Sequence, residues 1–387
     1  MDRGNGRARR VRRDAPQRAD LFPESLGRQG SGLQERFLMR FTAVLTVRNE
    51  AAFLIEWVAH HLGIGFTDLV VLSNDCEDGT DTMLDRLAEV APVHHVRNDG
   101  PHEGGIQFAA LKLADKHPAV TGADWLCALD VDEFVNIHTG DHRLAALLAA
   151  LPDADAITLT WRLFGNGGVV RFEDLPVTAQ FTRAAPEIMY WPWRASMFKT
   201  LYRNDGAYAK LGVHRPRAPG PKADDARWFD GEGRDLGPRF RKGPIFSPYG
   251  RPNYGLVQLN HYPLGAMESY ILKRDRGRAV HEGDALGLDY WTERNWVSED
   301  DTSIRQSDAL RDPWLDRLMG DARLAEFHAE AVLWRRQRFD ALMLEEPNRA
   351  LMGRLMMSPP ARPLSMEAAR FLITYGQRDA QRTTNTA

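Results

Sequence analysis

From residue 41 the chain alternates short apolar runs with segments whose apolar residues recur at helical spacing. Phe41–Val47 (FTAVLTV) is a continuous apolar, β-branched run, the pattern of a strand buried on both faces. Phe53, Trp57 and His61 then fall on one helical stripe, with Asn49 expected as the cap and Glu50 in the first turn. Asp68–Ser73 reads as a second strand, and Thr80 as the cap of a helix carrying Met83, Leu84, Leu87 and Ala88. Pro92–Arg97, a helix over Gln107–Lys116, and Asp124–Leu129 continue the series. Strands alternating with helices through short loops predict an α/β fold built on a doubly wound, mostly parallel sheet.

After about residue 170 the alternation breaks down. Residues 186–260 are rich in Pro, Gly, Trp, Tyr and Arg and read as long ordered loops over a site. Helical periodicity returns at Met267–Arg278, around 308–345 and at Met366–Ile373, so a helical C-terminal extension over 266–380 is expected behind a sheet domain at 38–265. The apolar run Leu144–Leu151 is too short to span a bilayer and reads as a core helix.

The first segment differs in kind. Residues 1–18 hold seven Arg and two Asp, and residues 1–37 read as a disordered basic tail, with contact to an anionic membrane as the functional alternative. Residues 1–18 take +5 out of a total charge of −3 and leave the rest of the chain at −8, which argues against nucleic acid as a partner. Two cysteines in 387 residues argue against a disulfide framework and for a reducing cytoplasm.

Ligands of doubly wound sheets bind outside the carboxyl ends of the strands. Polar clusters stand at four such ends: Arg48-Asn49-Glu50, Asn74-Asp75, Asn98-Asp99 and Asp130-Val131-Asp132-Glu133. Asp130 and Asp132 follow an apolar strand at a spacing that points both carboxylates one way. Oxygen-only ligands suit Mg²⁺ or Mn²⁺, which bridge substrate phosphates, so the pair predicts a metal–diphosphate site. The first loop has neither the P-loop nor the dinucleotide glycine pattern; Asn49 and Glu50 instead offer groups suited to a base or a ribose hydroxyl. His214 and His261 are candidates for a third ligand or a diphosphate contact, with His261 favoured. Lys199, Arg203 and Arg215 offer positive charge, each read more readily as a solvated rim.

The ordered series TVRNE (46–50), Glu56-Trp57, SNDCEDGT (73–80), Asp124-Trp125 and DVDEF (130–134) resembles the family 2 glycosyltransferases. It is most similar to the branch related to family 92, whose metal motif reads DxDEF. Trp161-Arg162-Leu163-Phe164-Gly165-Asn166, Phe198-Lys199 and Asn260-His261-Tyr262 extend the likeness, which covers roughly residues 41–280. The resemblance implies a GT-A fold, a nucleotide-sugar donor, a divalent cation and a saccharide, lipid-linked or protein acceptor. It implies that Thr46, Arg48, Glu50, Asn74 and Asp75 hold the nucleoside, and that Asp130 and Asp132 hold the metal and diphosphate. Asp99 joins the donor set as the third strand's end. Family 2 commonly has two aspartates where Ser73 and Asn74 stand, so the base, uridine or another, stays open.

Transfer with inversion needs a base for the acceptor hydroxyl proton. Glu173, Asp174 and Glu187 follow the metal motif, and Glu133 and Asp132 lie within it. Trp161, Tyr190, Trp191 and Trp193 offer faces for a sugar ring, and Asn166 joins the acceptor-side set through the resemblance. The rival readings are a nucleotidyltransferase, which the first loop suits poorly, and a non-catalytic saccharide-binding module.

Overall fold

The structure is a computed structural model that describes Met1 and residues 39–102, 105–248, 250–277 and 286–385. Beyond Met1, the expected tail 1–37 lies outside the described residues.

The first strands arise where the apolar runs stand. They are β1 (Phe41–Val47), β2 (Asp68–Ser73), β3 (Val93–Arg97) and β4 (Trp125–Leu129). Helices α1 (Ala51–Gly63), α2 (Thr80–Val90) and α3 (Ile106–Ala114) connect them. The four strands lie in the order β3-β2-β1-β4, all parallel, with Leu45 of β1 opposite Val71 and Leu129. β2 and β3 lie on one side of β1 and β4 on the other, so the order reverses at β1 and opens a crevice at the carboxyl ends of β1 and β4.

The second half of the sheet is mixed. β5 (Glu133–Ile137), β6 (Ala156–Leu163), β7 (Phe198–Arg203) and β8 (Val257–His261) extend the order as β4-β7-β6-β8-β5. β7 is antiparallel to β4 and β6, and β5 is antiparallel to β8. The sheet is therefore parallel-rich, with two reversed strands. The region expected as loops, 186–260, contributes β7 and β8. Glu133, expected as part of the strand-end cluster after β4, begins β5.

Asn49 does not cap α1: it sits at φ 53°, and its Oδ1 accepts from Glu77 N at 2.7 Å. The cap comes from the next loop, where Asp78 Oδ2 accepts from Ala51 N at 2.9 Å and Thr80 Oγ1 from Glu50 N at 3.0 Å. Asp78 Oδ1 also accepts from Thr80 N at 3.0 Å, so one carboxylate serves α1 and α2, and the expected capping role of Thr80 belongs to Asp78. Trp57, on the expected stripe, donates Nε1 to Asp130 O at 3.2 Å and Glu133 O at 3.1 Å, which ties α1 to the turn between β4 and β5.

Helix α4 (Leu144–Ala150) packs into the core as expected. The C-terminal helices are α5 (Met267–Arg276), α6 (Asp308–Met319), α7 (Ala322–Leu342), α8 (Glu346–Met357) and α9 (Met366–Asn385). α6 crosses α1 so closely that a Cβ on Gly63 would lie 2.5 Å from Leu310 O. α7 packs against α1, α2 and α5, bringing the extension over the sheet's carboxyl end. No helix among the described residues is long and apolar enough to cross a membrane.

Candidate active site

The crevice at the β1/β4 switch is a cleft of about 1270 Å³. Its walls include Thr46, Arg48 and Glu50 from the end of β1, Asn74 and Asp75 from β2, and the Asp130-Val131-Asp132 turn. Trp161, His214 and His261 form another side, and Lys273, Arg276 and Arg294 come from α5 and the chain after it. The volume exceeds that of an ordinary small-molecule pocket, roughly 300–1,000 Å³.

The two aspartates are held differently. Asp130 Oδ2 lies 2.9 Å from Lys199 Nζ, and its side chain is about one-third exposed. Asp132 Oδ2 accepts from Lys273 Nζ at 2.7 Å, and its Oδ1 lies 3.7 Å from His261 Nε2. Burial alone would raise the Asp132 carboxyl, but Lys273 and then His261 outweigh it and hold the group far below the usual carboxylate range. Burial lowers the His261 imidazole despite Asp132, so the ring is neutral near pH 7. Register places it there: on β8, His261 pairs with Glu133 of β5 and Leu163 of β6. Its ring packs on Trp161, with centroids 4.3 Å apart.

Lys199 is not a solvated rim. It is buried on β7, with Glu133 at 3.5 Å as a second partner. Burial would lower its ammonium; the Asp130 and Glu133 charges outweigh that and raise it. Glu133 is equally buried: Oε1 accepts from Trp161 Nε1 at 2.6 Å and Oε2 from Asp130 N at 2.8 Å. Burial, opposed by Lys199, raises its carboxyl. Glu133 thus supports the turn from behind and does not face the cleft, contrary to the expectation of a catalytic group.

Other expected residues fall elsewhere. Asn49 lines a smaller neighbouring pocket instead of the cleft. Asp99 braces the second loop, its Oδ1 accepting from Asp75 N at 2.8 Å, without lining the cleft. Asp174 pairs with His328 at 2.8 Å, away from the cleft lining, and Glu187 lies outside both pockets. Asn166 is buried and structural: its Nδ2 donates to Val169 O at 2.7 Å and Gly265 O at 2.8 Å. Trp191 packs edge-on against Trp193, with centroids 4.6 Å apart, and lies outside the cleft. Arg203 stacks on Trp125 and Arg215 on Trp228, neither in the cleft. Of the expected groups, Thr46, Arg48, Glu50, Asn74, Asp75, Asp130, Asp132, Trp161, His214 and His261 share one cleft.

Lys273, Arg276 and Arg294 were missed by sequence reasoning. Arg276 donates to Arg48 O at 3.0 Å and pairs with Glu50; Arg294 stacks on Tyr290 at 3.7 Å. Arg48 keeps a buried Nε with no partner among the described residues. Among the described residues, no group of three or more His, Cys, Asp or Glu side chains is arranged to hold a metal. Ions bound largely through substrate phosphates need only one or two protein carboxylates, and ionised Asp132 beside neutral His261 supplies an oxygen and a nitrogen donor that fit that need.

No protein-family model matches the chain. The chain is similar to glycosyltransferase family 92 proteins over part of its length. A Ricinus communis member is 31% identical over 98 residues, covering 24% of this chain and 16% of that protein. An Oryza sativa subsp. japonica member is 26% identical over 150 residues, covering 36% of this chain and 24% of that protein. The chain thus spans less than a quarter of the length of these curated relatives. Among solved structures, S. aureus TarS 1-349 in complex with UDP aligns at TM-score 0.28 and 15% identity, covering 43% of this chain and 47% of that one. Glucosyl-3-phosphoglycerate synthase from Mycobacterium tuberculosis, in complex with Mn²⁺, UDP and glucosyl-3-phosphoglycerate, aligns at TM-score 0.23 and 20% identity, covering 32% and 44%.

Proposed function

We propose that this chain is a nucleotide-sugar-dependent glycosyltransferase of GT-A architecture, with the switch-point cleft as its donor site. The observation that carries the reading is one cleft uniting the polar ends of β1 and β2, the Asp130-Val131-Asp132 turn and the cations Lys273, Arg276 and Arg294. The partial likeness to family 92 glycosyltransferases supports it. Thr46, Arg48, Glu50, Asn74 and Asp75 bind the nucleoside, while Lys273, Arg276 and Arg294 face the diphosphate.

A Mg²⁺ or Mn²⁺ ion would be held by Asp132 and His261, with Asp130 beside them. When bound, it supplies positive charge against the leaving diphosphate. The hydroxyl oxygen of a saccharide, lipid-linked or protein acceptor attacks the anomeric carbon. The new C–O bond forms as the bond to the diphosphate oxygen breaks, and the nucleoside diphosphate leaves with the electron pair. A single displacement inverts the anomeric centre. The hydroxyl proton passes to a carboxylate; of the post-motif candidates, Glu173 lines the pocket that adjoins Asp132, and we assign it that role.

The test is a thermal-shift screen of nucleoside diphosphates with and without Mn²⁺, since ligands of the native state raise its melting temperature. A Mn²⁺-dependent rise with at least one diphosphate, lost in Asp132→Asn with circular dichroism unchanged, is expected. No response to any diphosphate, or an unchanged response in Asp132→Asn, refutes the donor site as drawn.

A further inference from the structure

The donor cleft shares Glu50, Val131, Asp132, Lys273 and Arg276 with a second pocket of about 70 Å³. That is several times the roughly 10–15 Å³ that one water needs. Phe53, Phe172, Phe181, Leu264 and Leu272 make much of its wall apolar, and four cationic side chains also line it. Three of the four are matched within the protein: Lys273 by Asp132, Arg276 by Glu50 and Arg338 by Asp275, the last through two hydrogen bonds of 2.8 and 2.9 Å.

Arg335 of α7 is the exception. It is 5% exposed and forms no ion pair among the described residues. Its guanidinium carbon lies 4.5 Å from the Phe53 ring centre and 4.8 Å from that of Phe172. Nη2 donates to Ser269 Oγ at 3.0 Å, and Nε is buried without a partner among the described residues. Burial lowers this guanidinium to about 10. Two aromatic faces return only part of what desolvating a cation costs. A structural filler at this position would be better served by a methionine or leucine. A buried guanidinium with donors to spare, in a pocket joined to the cleft, is instead the arrangement that recognises an oxyanion.

We infer that this second pocket is the acceptor subsite and that it takes an acceptor bearing a carboxylate or phosphate, with Arg335 binding the oxyanion and the phenylalanine and leucine wall its apolar stem. The inference rests on the glycosyltransferase reading, in which the shared wall sets the acceptor beside the donor. It narrows that reading from any saccharide, lipid-linked or protein acceptor to an anionic one. Of the carboxylates lining the pocket, Asp132, Glu50 and Asp275 are each engaged by their own cation, and the fourth, Glu173, forms no ion pair with Arg335. The charges of Asp78 and Glu268 favour the guanidinium without pairing with it among the described residues, so its donors are left to the ligand.

The experiment titrates the full chain with butyrate, butyl phosphate and neutral butyramide, read by melting temperature and calorimetry. The proteins compared are the unaltered chain, Arg335→Met and Arg335→Lys. At least one anion should bind while butyramide does not, and which anion binds names the oxyanion. Arg335→Met should weaken that binding at least tenfold and leave the nucleoside-diphosphate shift intact. Arg335→Lys, which keeps the charge but loses the fork, should weaken it at least threefold, and decides the matter if the Met variant does not fold. Anion binding equal in the variants and the unaltered chain overturns the inference, as does butyramide binding as well as butyrate. A chain that answers a nucleoside diphosphate but neither anion sinks the acceptor inference alone. A chain that binds an anion through Arg335 but no nucleoside diphosphate sinks the donor reading instead.

Discussion

Replacing Lys199 with Met removes a buried ammonium lying 2.9 Å from Asp130 and 3.5 Å from Glu133. At an effective dielectric near 20, unit charges at these separations attract by about 5 kcal/mol each. Part of that attraction offsets the desolvation of the ions, several kcal/mol apiece. The variant keeps the desolvated Glu133 and loses its counter-charge. The carboxyl must then take up a proton, but Oε1 and Oε2 already accept from Trp161 Nε1 and Asp130 N at 2.6 and 2.8 Å, so an added O–H meets a donor on either side. We therefore expect a loss near the upper part of the range for breaking a buried pair, about 3–5 kcal/mol. The assay is equilibrium urea unfolding of the single variants Lys199→Met and Glu133→Gln and of the double variant. The double variant should be more stable than the sum of the single losses predicts, by at least about 1 kcal/mol, because one charge is no longer stranded without the other. A loss below about 1 kcal/mol in Lys199→Met, or single losses that simply add within about 0.5 kcal/mol, would refute the coupling of Lys199 to Glu133.

Acid should destabilise the protein through its buried histidines. Burial lowers His60 to about 4 and His61 well below its ordinary value, whereas an unfolded imidazole titrates near ~6.5. The unfolded chain therefore binds more protons between those limits, and stability falls as pH drops through that window, by about 3 kcal/mol for His60 by pH 4. His60→Gln should flatten the dependence of the urea midpoint between pH 7 and pH 5, and an unchanged slope counts against the assignment. Asp78→Ala removes acceptors from Ala51 N and Thr80 N at once; it should cost about 2 kcal/mol in urea unfolding, and a cost of a few tenths would show that water replaces the caps. Lys273→Met and Arg276→Met should each weaken nucleoside-diphosphate binding about tenfold by calorimetry, a loss of about 1.4 kcal/mol. Unchanged affinity in both would place the diphosphate elsewhere.

What the sequence makes legible here is local. β1 and β2 are apolar runs rich in β-branched residues and β4 is an apolar run, because both faces are covered, and their polar ends announce themselves by contrast, which is why Thr46, Arg48, Asn74 and the Asp130–Asp132 turn are found without coordinates. The failures share a cause of the opposite kind. Asn49 looks like a cap because of the residue that follows it, yet the N–H groups at the start of α1 are met by Asp78 and Thr80, some thirty residues on. Lys199 looks like a rim because lysine is rarely fully buried, and only the sheet order, which lays β7 beside β4, explains it. Lys273 and Arg276 sit among other charges on α5, in MESYILKRDR, and read as a solvated face. They become cleft walls because α7 holds α5 over the switch point. The acids of the cleft thus come from strand ends within the first hundred residues of the sheet domain, and three of its cations, Lys273, Arg276 and Arg294, come from α5 and the chain after it, more than a hundred residues later. Lys273 meets Asp132 across 141 residues of chain and Arg276 meets Glu50 across 226. The charge balance of the cleft is accordingly a property of the completed fold, and a truncation before α5 would leave Asp132 and Glu50 without the cations that hold them.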